Sequence, residues 1–543
     1  MRAAWLLVTM ALAGPLPVIA ADGDGAADPA EVAIGERLFF ETRFAQYFFA
    51  HSGGNVNAVL AVGDPVVATT RTRDGVIPGP FAGQSINCRA CHMVDDTKDV
   101  PGGGSRSYAD FARQSPIPAR DDGRTTAPRN SPSLVNASLA RSGPFVLHFD
   151  GEFPDAAALA RGTLTGRNYG WLPDEARIAV AHIARVVRED DGTGGLAQRF
   201  GGSYRRVLGA VDPALPPEFR LAHRYRLDVD HASDETIVGR VARLIGAYVA
   251  SLEFAQDDGA FTGSPYDRFL VKNHLPTKPD EHEPPVFYRA RLRQYLRNLD
   301  APDFVSADDG AFALHAQPFA FGVLELEGLR IFLDPARGNC AACHVPPAFT
   351  DFGFHNTGVA QLDYDATHGE GAFAALAIPD LAARGADLEA FLPPSAAHPR
   401  ATEPFRALVD VARPGRVDLG LWNIYRNPAV SDRRHQRGLD RLVCASLERR
   451  STCRRLDASA RLDAAIAVFK TAGIRDLGHS APYLHTGKAD ELADVVRLYA
   501  KASALAHAGM LRNAAPELRH MTLGETDIAP LAAFLRALDE DYE

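Results

Sequence analysis

The chain has 543 residues, of which 46% are hydrophobic and 23% charged, and its formal net charge is −10. This acidic balance argues against nucleic acid as a partner and favours a positively charged one. A chain of this length can bury more than one hydrophobic core, so we expect more than one domain.

The N-terminus is typical of a secretory signal peptide. Arg2 supplies the positive start, residues 3–16 the apolar core and residues 18–20 a cleavage site of small residues. The apolar core is too short to cross a bilayer, and no later stretch approaches about twenty uncharged apolar residues. We therefore predict that residues 1–20 are a signal peptide and that the mature protein is periplasmic, with no membrane span.

The first chemical motif is C-x-x-C-H, formed by Cys88, Cys91 and His92. Two thiols at this spacing can add to the two vinyl groups of one porphyrin, while the adjacent histidine serves as the proximal iron ligand. A zinc site would need further Cys or His ligands at short spacing, and a thiol redox pair would need a βαβ context. Neither pattern is present, so the motif predicts a covalently bound haem c.

Helices rather than strands dominate the sequence pattern. Three segments have the 3.6-residue apolar periodicity of amphipathic helices: residues 175–190, 234–254 and 526–538. Three other segments are rich in Gly and Pro and too long for ordinary connections: residues 53–83, 276–302 and 361–416. The predicted fold class is therefore mainly α, with long irregular insertions.

A second C-x-x-C-H motif consists of Cys340, Cys343 and His344. Two motifs imply two haem c groups, and since each haem needs its own apolar surroundings, we predict two cytochrome c-like haem domains. The N-terminal haem domain is assigned to residues 21–275. The C-terminal haem domain is assigned to residues 276–543, whose last segment is free to pack on the first domain.

The remaining two cysteines, Cys444 and Cys453, lie close together in a chain expected to reach an oxidising compartment. We expect a local disulfide between them. This bond requires that the two Cα atoms lie within about 7 Å of each other. The alternative is a pair of free thiols in an exposed insertion.

Further segments, spread over most of the chain after residue 20, resemble the bacterial di-haem cytochrome c peroxidases and their MauG-type relatives. They lie on both sides of the two motifs: residues 34–40, 129–133, 149–151, 264–269, 327–332, 349–351, 354–358, 469–471, 480–487 and 492–496. The resemblance implies a division of labour between the haems. The N-terminal haem meets the oxidant, hydrogen peroxide or dioxygen, and the C-terminal haem transfers electrons.

At the second haem the resemblance implies an axial ligand supplied by the chain. Fourteen residues after the histidine that corresponds to His485, the peroxidases have methionine and the MauG-type enzymes tyrosine, and this chain has Tyr499. A phenolate stabilises ferric and higher oxidation states, whereas a thioether favours ferrous iron. Tyr499 is therefore the expected iron ligand, with Met510 and Met521 as alternatives. His485 is expected to hold this haem or its propionates.

At the first haem the chain departs from the family. No histidine lies between His92 and His148 to cap the iron, which predicts an open distal face. The family's tryptophan, glutamine and glutamate correspond, by a count without gaps, to Phe149, Leu159 and Tyr169. All three family residues are replaced, which puts classical peroxidase activity in doubt.

Three nearby residues are candidates for distal acid–base catalysis: His148, Glu152 and Tyr169. Peroxide cleavage needs a group that moves a proton from one oxygen to the other, and His148 is preferred for this role or as an iron ligand. The competing interpretation is an ordinary hydrogen-bonded histidine at the end of an element. Phe149 is expected between the haems, where it is a poorer oxidisable relay than tryptophan.

The resemblance also implies a calcium ion between the domains. In the family this ion is held by an asparagine side chain and by backbone carbonyls flanking an alanine, and the corresponding residues here are Asn130, Ser480 and Pro482. Mixed amide, carbonyl and water ligation suits calcium. Ser480 replaces the family's threonine at little cost, because only its backbone oxygen is needed.

The sequence thus predicts a periplasmic di-haem oxidoreductase that reduces hydrogen peroxide, or activates dioxygen, at the N-terminal haem. Its expected partner is a small periplasmic electron donor, a cytochrome c or a copper protein, or else a protein substrate, and a homodimer is compatible with the family. Two alternatives stay open. One is a di-haem oxygenase resembling the rubber oxygenases, for which Leu159 and Phe149 would form an apolar pocket. The other is a non-catalytic di-haem electron-transfer protein.

Overall fold

The computed structural model describes residues 28–541, except residues 73–74, 79–82, 93, 96–104, 107–114, 142, 314, 431, 448–452 and 454. The predicted signal peptide, residues 1–20, lies outside the described residues. The described part of the chain is mainly helical, and its strands form short two-stranded antiparallel sheets. The predicted fold class, mainly α, is confirmed.

The described helices of the first 300 residues are α1 (Ala30–Phe39), α2 (Gln46–His51), α3 (Ala156–Leu164), α4 (Ala176–Glu189), α5 (Gly195–Arg199), α6 (Tyr204–Gly209), α7 (Asp234–Ser251), α8 (Pro265–Lys272) and α9 (Pro285–Arg297). Those that follow are α10 (Val323–Leu333), α11 (Val359–His368), α12 (Leu381–Ala386), α13 (Leu388–Phe391), α14 (Arg433–Ala445), α15 (Ala458–Ala464), α16 (Leu492–His507) and α17 (Glu525–Arg536).

The strands pair as hairpins, except for the last pair, which joins distant segments. The pairs are β1 (Thr69–Thr72) with β2 (Gly75–Pro78), β3 (Val94–Asp95) with β4 (Ser105–Arg106), β5 (Gln256–Asp257) with β6 (Ala260–Phe261), and β7 (Phe354–His355) with β8 (Phe469–Lys470). In the last pair Phe354 lies opposite Lys470. This pairing brings the segment after the second motif next to the segment that precedes Ser480.

The three helices predicted from periodicity are present as α4, α7 and α17. The prediction of irregular structure for residues 276–302 is wrong, because these residues contain α9. Its buried stripe is only one residue wide, Tyr288, Leu292 and Leu296, and the remaining faces are rich in arginine, so the apolar periodicity is weak. Residues 361–416 likewise contain α12, α13 and most of α11.

The described residues form two large cores and a third one that the sequence did not indicate. The first core is built by α1, α3, α4 and α7. The second is built by α8, α9, α10 and α17. The third surrounds Trp422 and unites Val146 with residues of the 361–416 segment and of α14. The domain limits assigned from the sequence remain a prediction.

The same helix crossing occurs in both halves of the chain. α1 packs against α7, and α10 packs against α17. In the first crossing, a Cβ atom on Gly35 of α1 would overlap the carbonyl oxygen of Leu244 in α7. In the second crossing, a Cβ atom on Gly328 of α10 would overlap the carbonyl oxygen of Pro530 in α17. The glycines therefore let both helix pairs approach to backbone contact.

The structure joins Cys444 and Cys453 in a disulfide with a Cα–Cα distance of 5.3 Å, which confirms the expected pairing.

Among the helices of the described residues, none combines the length and apolar character that a bilayer crossing requires.

Gly328→Ala should lower the free energy of unfolding by about 1–3 kcal/mol, because the added methyl group forces α10 away from α17. Urea denaturation of the purified protein measures this loss. Gly239→Ala is the matched control, since Gly239 lies inside α7 with no atom near its missing Cβ. That exposed helix position should gain about 0.5–1 kcal/mol from alanine. Similar stabilities of the two variants would contradict the close crossing.

Candidate functional site

The first C-x-x-C-H motif forms a single 3-10 turn, Cys88–Ala90. The side chain of Asn87 accepts a hydrogen bond from the Arg89 backbone N–H at 3.0 Å, and its Nδ2 donates to the Phe40 carbonyl at 2.9 Å. Because Phe40 directly follows α1, the end of that helix positions the motif. Three motif residues line a cavity of 1510 Å³: Cys88, Cys91 and His92.

The imidazole of His92 has the properties of a metal ligand without its metal. Its Nδ1 atom is buried and has no hydrogen-bond partner among the described residues. Burial, together with the nearby His148, lowers the pKa of His92 to about 4. Iron requires a neutral imidazole, and the two thiols beside it would bond to the vinyl groups of a covalent haem c. The residues therefore fit this group.

His148 and Glu152, the predicted acid–base candidates, line the same cavity. His148 has a left-handed backbone with φ 64°, and its Nδ1 lies 3.2 Å from Glu152 Oε2. The guanidinium of Arg406 forms an ion pair with the same carboxylate. Burial raises the pKa of Glu152, but Arg406 and His148 together lower it well below its usual value. The structure thus presents a histidine paired with an ionised carboxylate.

Asp150 lies between these two residues and is fully buried. Arg129 Nη1 lies 2.5 Å from Asp150 Oδ2, and Arg406 Nη2 lies 3.4 Å from the same oxygen. Arg129 also donates from Nη2 to Asp418 Oδ1 at 2.8 Å. Because Arg406 belongs to the 361–416 segment and Asp418 directly follows it, this segment forms part of the cavity wall.

Sequence reasoning missed several cationic residues of the cavity wall, among them Arg406 and Lys470. Lys470 Nζ lies 3.4 Å from the Val146 carbonyl, and burial, with Arg141 nearby, lowers the pKa of Lys470 to about 7. Lys470 lies in segment 469–471, which resembles the di-haem peroxidases, and this resemblance could have identified it as a site residue. For Arg406 no sequence signal exists, since its partner Glu152 is 254 residues away.

The three residues that correspond to the family's tryptophan, glutamine and glutamate also line the cavity: Phe149, Leu159 and Tyr169. The Tyr169 hydroxyl lies 3.1 Å from Cys88 Sγ, and burial raises the pKa of Tyr169. Its phenol is thus next to a motif thiol. The centroid of the Phe149 ring lies 6.3 Å from that of His485, so Phe149 connects the cavity to the 480–487 segment.

The second motif repeats the 3-10 turn, as Cys340–Ala342. The Gly338 backbone N–H donates to the Ile331 carbonyl at 3.2 Å, which attaches the motif to the last turn of α10. Nδ1 of His344 lies 3.2 Å from the Phe349 carbonyl, an arrangement that leaves Nε2 for a metal. Burial lowers the pKa of His344, so the imidazole is neutral. This motif also fits a haem c.

Tyr499, the predicted iron ligand, lies on α16 and interacts electrostatically with the thiols of Cys340 and Cys343. Burial and these two thiols raise the pKa of the phenol, and a hydrogen bond from Thr357 opposes the shift. The structure therefore brings Tyr499 to the second motif. Met510, one alternative ligand, is 48% exposed, whereas Met521 packs in the core beneath α16.

Two of the predicted calcium residues, Asn130 and Pro482, are in contact, whereas no hydrogen bond of the described residues joins Asn130 to Ser480. Asn130 Nδ2 donates to the Pro482 carbonyl at 2.6 Å, and Asn130 Oδ1 is buried without a hydrogen-bond partner in the described residues. An orphaned amide oxygen beside backbone carbonyls fits a calcium ion. His485 stacks on Phe469 with centroids 3.8 Å apart, and burial lowers the pKa of His485 to about 4.

Comparison with known proteins gives structural similarity only. No family model matches the chain, and no curated protein matches it. The diheme peroxidase BthA from Burkholderia thailandensis E264 is 17% identical with a TM-score of 0.41, over 95% of this chain and 87% of that one. Its variant with methionine in place of one tyrosine is 16% identical, with a TM-score of 0.39 and the same coverage.

A MauG-like protein associated with microbial copper homeostasis is 15% identical with a TM-score of 0.44, over 97% of this chain and 94% of that one. These structures are diheme peroxidases and a MauG-like protein, the kinds of protein that the sequence motifs resemble. At such identities and TM-scores the similarity assigns no role to any residue of this chain.

Arg406→Met should destabilise the protein, because Glu152 and Asp150 would lose a cationic partner while they remain buried. We expect a loss of about 3–5 kcal/mol in the free energy of unfolding, measured by urea denaturation. The matched control is Arg413→Met in the same segment, whose ion pair with Asp410 is exposed and is worth less than about 1 kcal/mol. Equal losses in the two variants would contradict the role assigned to Arg406.

Proposed function

We propose that the chain is a periplasmic di-haem c-type oxidoreductase. Hydrogen peroxide is reduced, or dioxygen activated, in the cavity beside Cys88, Cys91 and His92, and electrons arrive through the second motif. The observation that supports the proposal most is a single cavity of 1510 Å³. Its wall contains both thiols of the first motif, the motif histidine and the His148–Glu152 pair. When bound, haem c supplies at each motif an iron that exchanges single electrons.

The His148–Glu152 pair provides the proton transfer that peroxide reduction requires. The Glu152 carboxylate accepts the Nδ1–H of His148, which fixes the imidazole tautomer and leaves Nε2 as the proton acceptor. Arg406 keeps Glu152 ionised, so Glu152 does not compete for the proton. Nε2 can then take a proton from one peroxide oxygen and return it to the other.

The overall reaction needs an electron donor from outside the chain. Reduction of one hydrogen peroxide to two waters consumes two electrons and two protons, and the chain's side chains supply protons rather than electrons. The donor is proposed to be a small periplasmic cytochrome c or copper protein, or an oxidisable side chain of a protein substrate. A homodimer is the proposed assembly.

Tyr499 sets the redox character of the second motif in this proposal. Tyr499 and His344 would together hold the haem iron at this motif, a role supported by the influence of the Cys340 and Cys343 thiols on the pKa of Tyr499. A phenolate is a hard, anionic ligand that favours ferric iron and higher oxidation states. The second motif would therefore store or relay oxidising equivalents rather than bind the oxidant.

Calcium is proposed to join the two halves of the chain through Asn130 Oδ1 and the backbone oxygens of Ser480 and Pro482. The orphaned Oδ1 atom supports this assignment. The same segment continues to His485, whose backbone carbonyl accepts the Asn130 backbone N–H at 2.8 Å. Any ion held there would consequently fix the 480–487 segment against Asn130.

One observation favours a second candidate, an oxygenase resembling the rubber oxygenases. Besides the polar pair, several apolar side chains line the cavity: Phe149, Leu159, Ile245 and Val249. Such a wall would accept an unsaturated hydrocarbon together with dioxygen. This candidate differs from the first in needing no added peroxide and no external reductant.

His148→Gln should slow peroxide consumption by about 10²–10⁴-fold, because glutamine cannot shuttle a proton. The rate is measured in the haem-loaded protein with a reduced small cytochrome c as donor. Glu152→Gln should lower the rate in the same direction. His507→Gln, at an exposed position of α16, is the control and should leave the rate unchanged.

Three results would count against the proposal. An unchanged rate in His148→Gln would remove His148 from the reaction. A wild-type protein that ignores peroxide but cleaves an unsaturated hydrocarbon with dioxygen would support the oxygenase instead. Inactivity in both assays, with neither iron binding cyanide, would leave an electron-transfer protein.

Tyr499→Met should raise the midpoint potential of one of the two irons, since a thioether stabilises ferrous iron relative to a phenolate. Potentiometric titration followed by visible absorption measures both potentials in the same sample. Tyr295→Phe on the exposed side of α9 is the control and should change neither. Unchanged potentials in Tyr499→Met would exclude Tyr499 as a ligand.

A further inference from the structure

A buried cluster of histidine and carboxylate groups lies away from both motifs. His315 Nε2 and His479 Nδ1 are each 2.9 Å from the same oxygen, Asp476 Oδ1. The potential ligand atoms of these three residues all lie within 4.8 Å of one another. None of the three side chains is more than 5% exposed.

Asp539, just beyond α17, adds a second carboxylate to the cluster. Its Oδ2 lies 3.9 Å from His315 Nδ1, and its Oδ1 accepts the Gly478 backbone N–H at 2.9 Å. A Cβ atom on Gly478 would lie 2.8 Å from His315 Nδ1 and would also crowd Asp539. The missing side chain of Gly478 therefore lets groups from three chain segments meet.

Several buried carboxylates lie around this cluster. Asp476, Asp539, Glu540 and Asp267 are all buried. Arg475 donates from Nη1 and Nη2 to Asp267 at 2.9 and 2.8 Å and lies 3.4 Å from Glu540. The carboxylate of Asp476 instead meets the imidazoles of His315 and His479, and a buried carboxylate beside two imidazoles is an arrangement that can coordinate a metal ion.

We propose that His315 Nε2, Asp476 Oδ1 and His479 Nδ1 bind one divalent transition-metal ion, and that this donor set selects zinc. Two imidazole nitrogens and a carboxylate oxygen are typical zinc ligands. Ligand atoms of a tetrahedral zinc site lie about 3.3 Å apart, given zinc–ligand distances of about 2.0–2.1 Å. The observed separations of 2.9 Å need only a small outward shift to admit the ion.

The ion would have a structural role at this position. His315 belongs to the segment before α10, and the pair Asp476 and His479 to the loop after β8. Zinc would join these two segments. No step of the proposed redox chemistry depends on the zinc ion. A failure of either proposal would therefore leave the other unaffected.

The test uses the full-length haem-loaded protein. The protein is treated with dipicolinate, returned to calcium-containing buffer, incubated with zinc chloride and passed through a desalting column. Zinc per chain is then measured by plasma mass spectrometry, with protein quantified by amino-acid analysis. We expect about one zinc per chain in the wild type, and at least a tenfold loss in His315→Gln and His479→Gln.

The matched control is His231→Gln, because His231 and Asp228 form a histidine–carboxylate pair of similar length, 2.8 Å, that is exposed. This variant should retain the zinc. Zinc should also raise the unfolding temperature of the wild type and of His231→Gln but not of His479→Gln, since only a folded site gains stability from its ligand.

Absence of retained zinc in the wild type, or full retention in both His315→Gln and His479→Gln, would overturn the proposal. If these variants do not fold, Asp476→Asn gives a milder test, because asparagine keeps an acceptor oxygen beside the two imidazoles. Zinc affinity should fall at least tenfold in that variant, and an unchanged affinity would contradict the proposed ligand set.

Discussion

The fully buried carboxylate of Asp150 determines how the chain is joined around the large cavity. Without cationic partners this group would be strongly destabilising, so Arg129 and Arg406 must both be in place before the 148–152 loop can adopt its position. Arg129 comes from the N-terminal half and Arg406 from an insertion in the C-terminal half. Through its contact with Arg406, Asp150 thereby holds the His148–Glu152 pair next to the 361–416 segment, which forms part of the cavity wall.

This constraint shows what the 361–416 segment contributes to the structure. The third core, around Trp422, holds the insertion and includes Val146, two residues before His148. The C-x-x-C-H motifs depend instead on the helix crossings. Asn87, just before the first motif, donates to Phe40 after α1, and Gly338, just before the second, donates to Ile331 in α10. The thiols and the acid–base pair are therefore positioned by separate parts of the fold.

The features that the sequence predicts well are those with local signals. The two motifs, the disulfide and the helices α4, α7 and α17 follow from spacing and periodicity, whereas the ligand role of Tyr499 stays a prediction. Arg406 and the cluster around Asp476 could not be predicted, because they depend on side chains hundreds of residues apart, 254 in the case of Arg406 and Glu152. α9 was missed because arginines obscure its narrow apolar stripe.

The central claim is that one iron is open to oxidant while the other is capped by Tyr499. Low-temperature electron paramagnetic resonance of the ferric protein, before and after one equivalent of hydrogen peroxide, tests it most directly. The account predicts a high-spin signal beside a low-spin one, with both lost when peroxide is added. Two low-spin signals that do not respond to peroxide would contradict it.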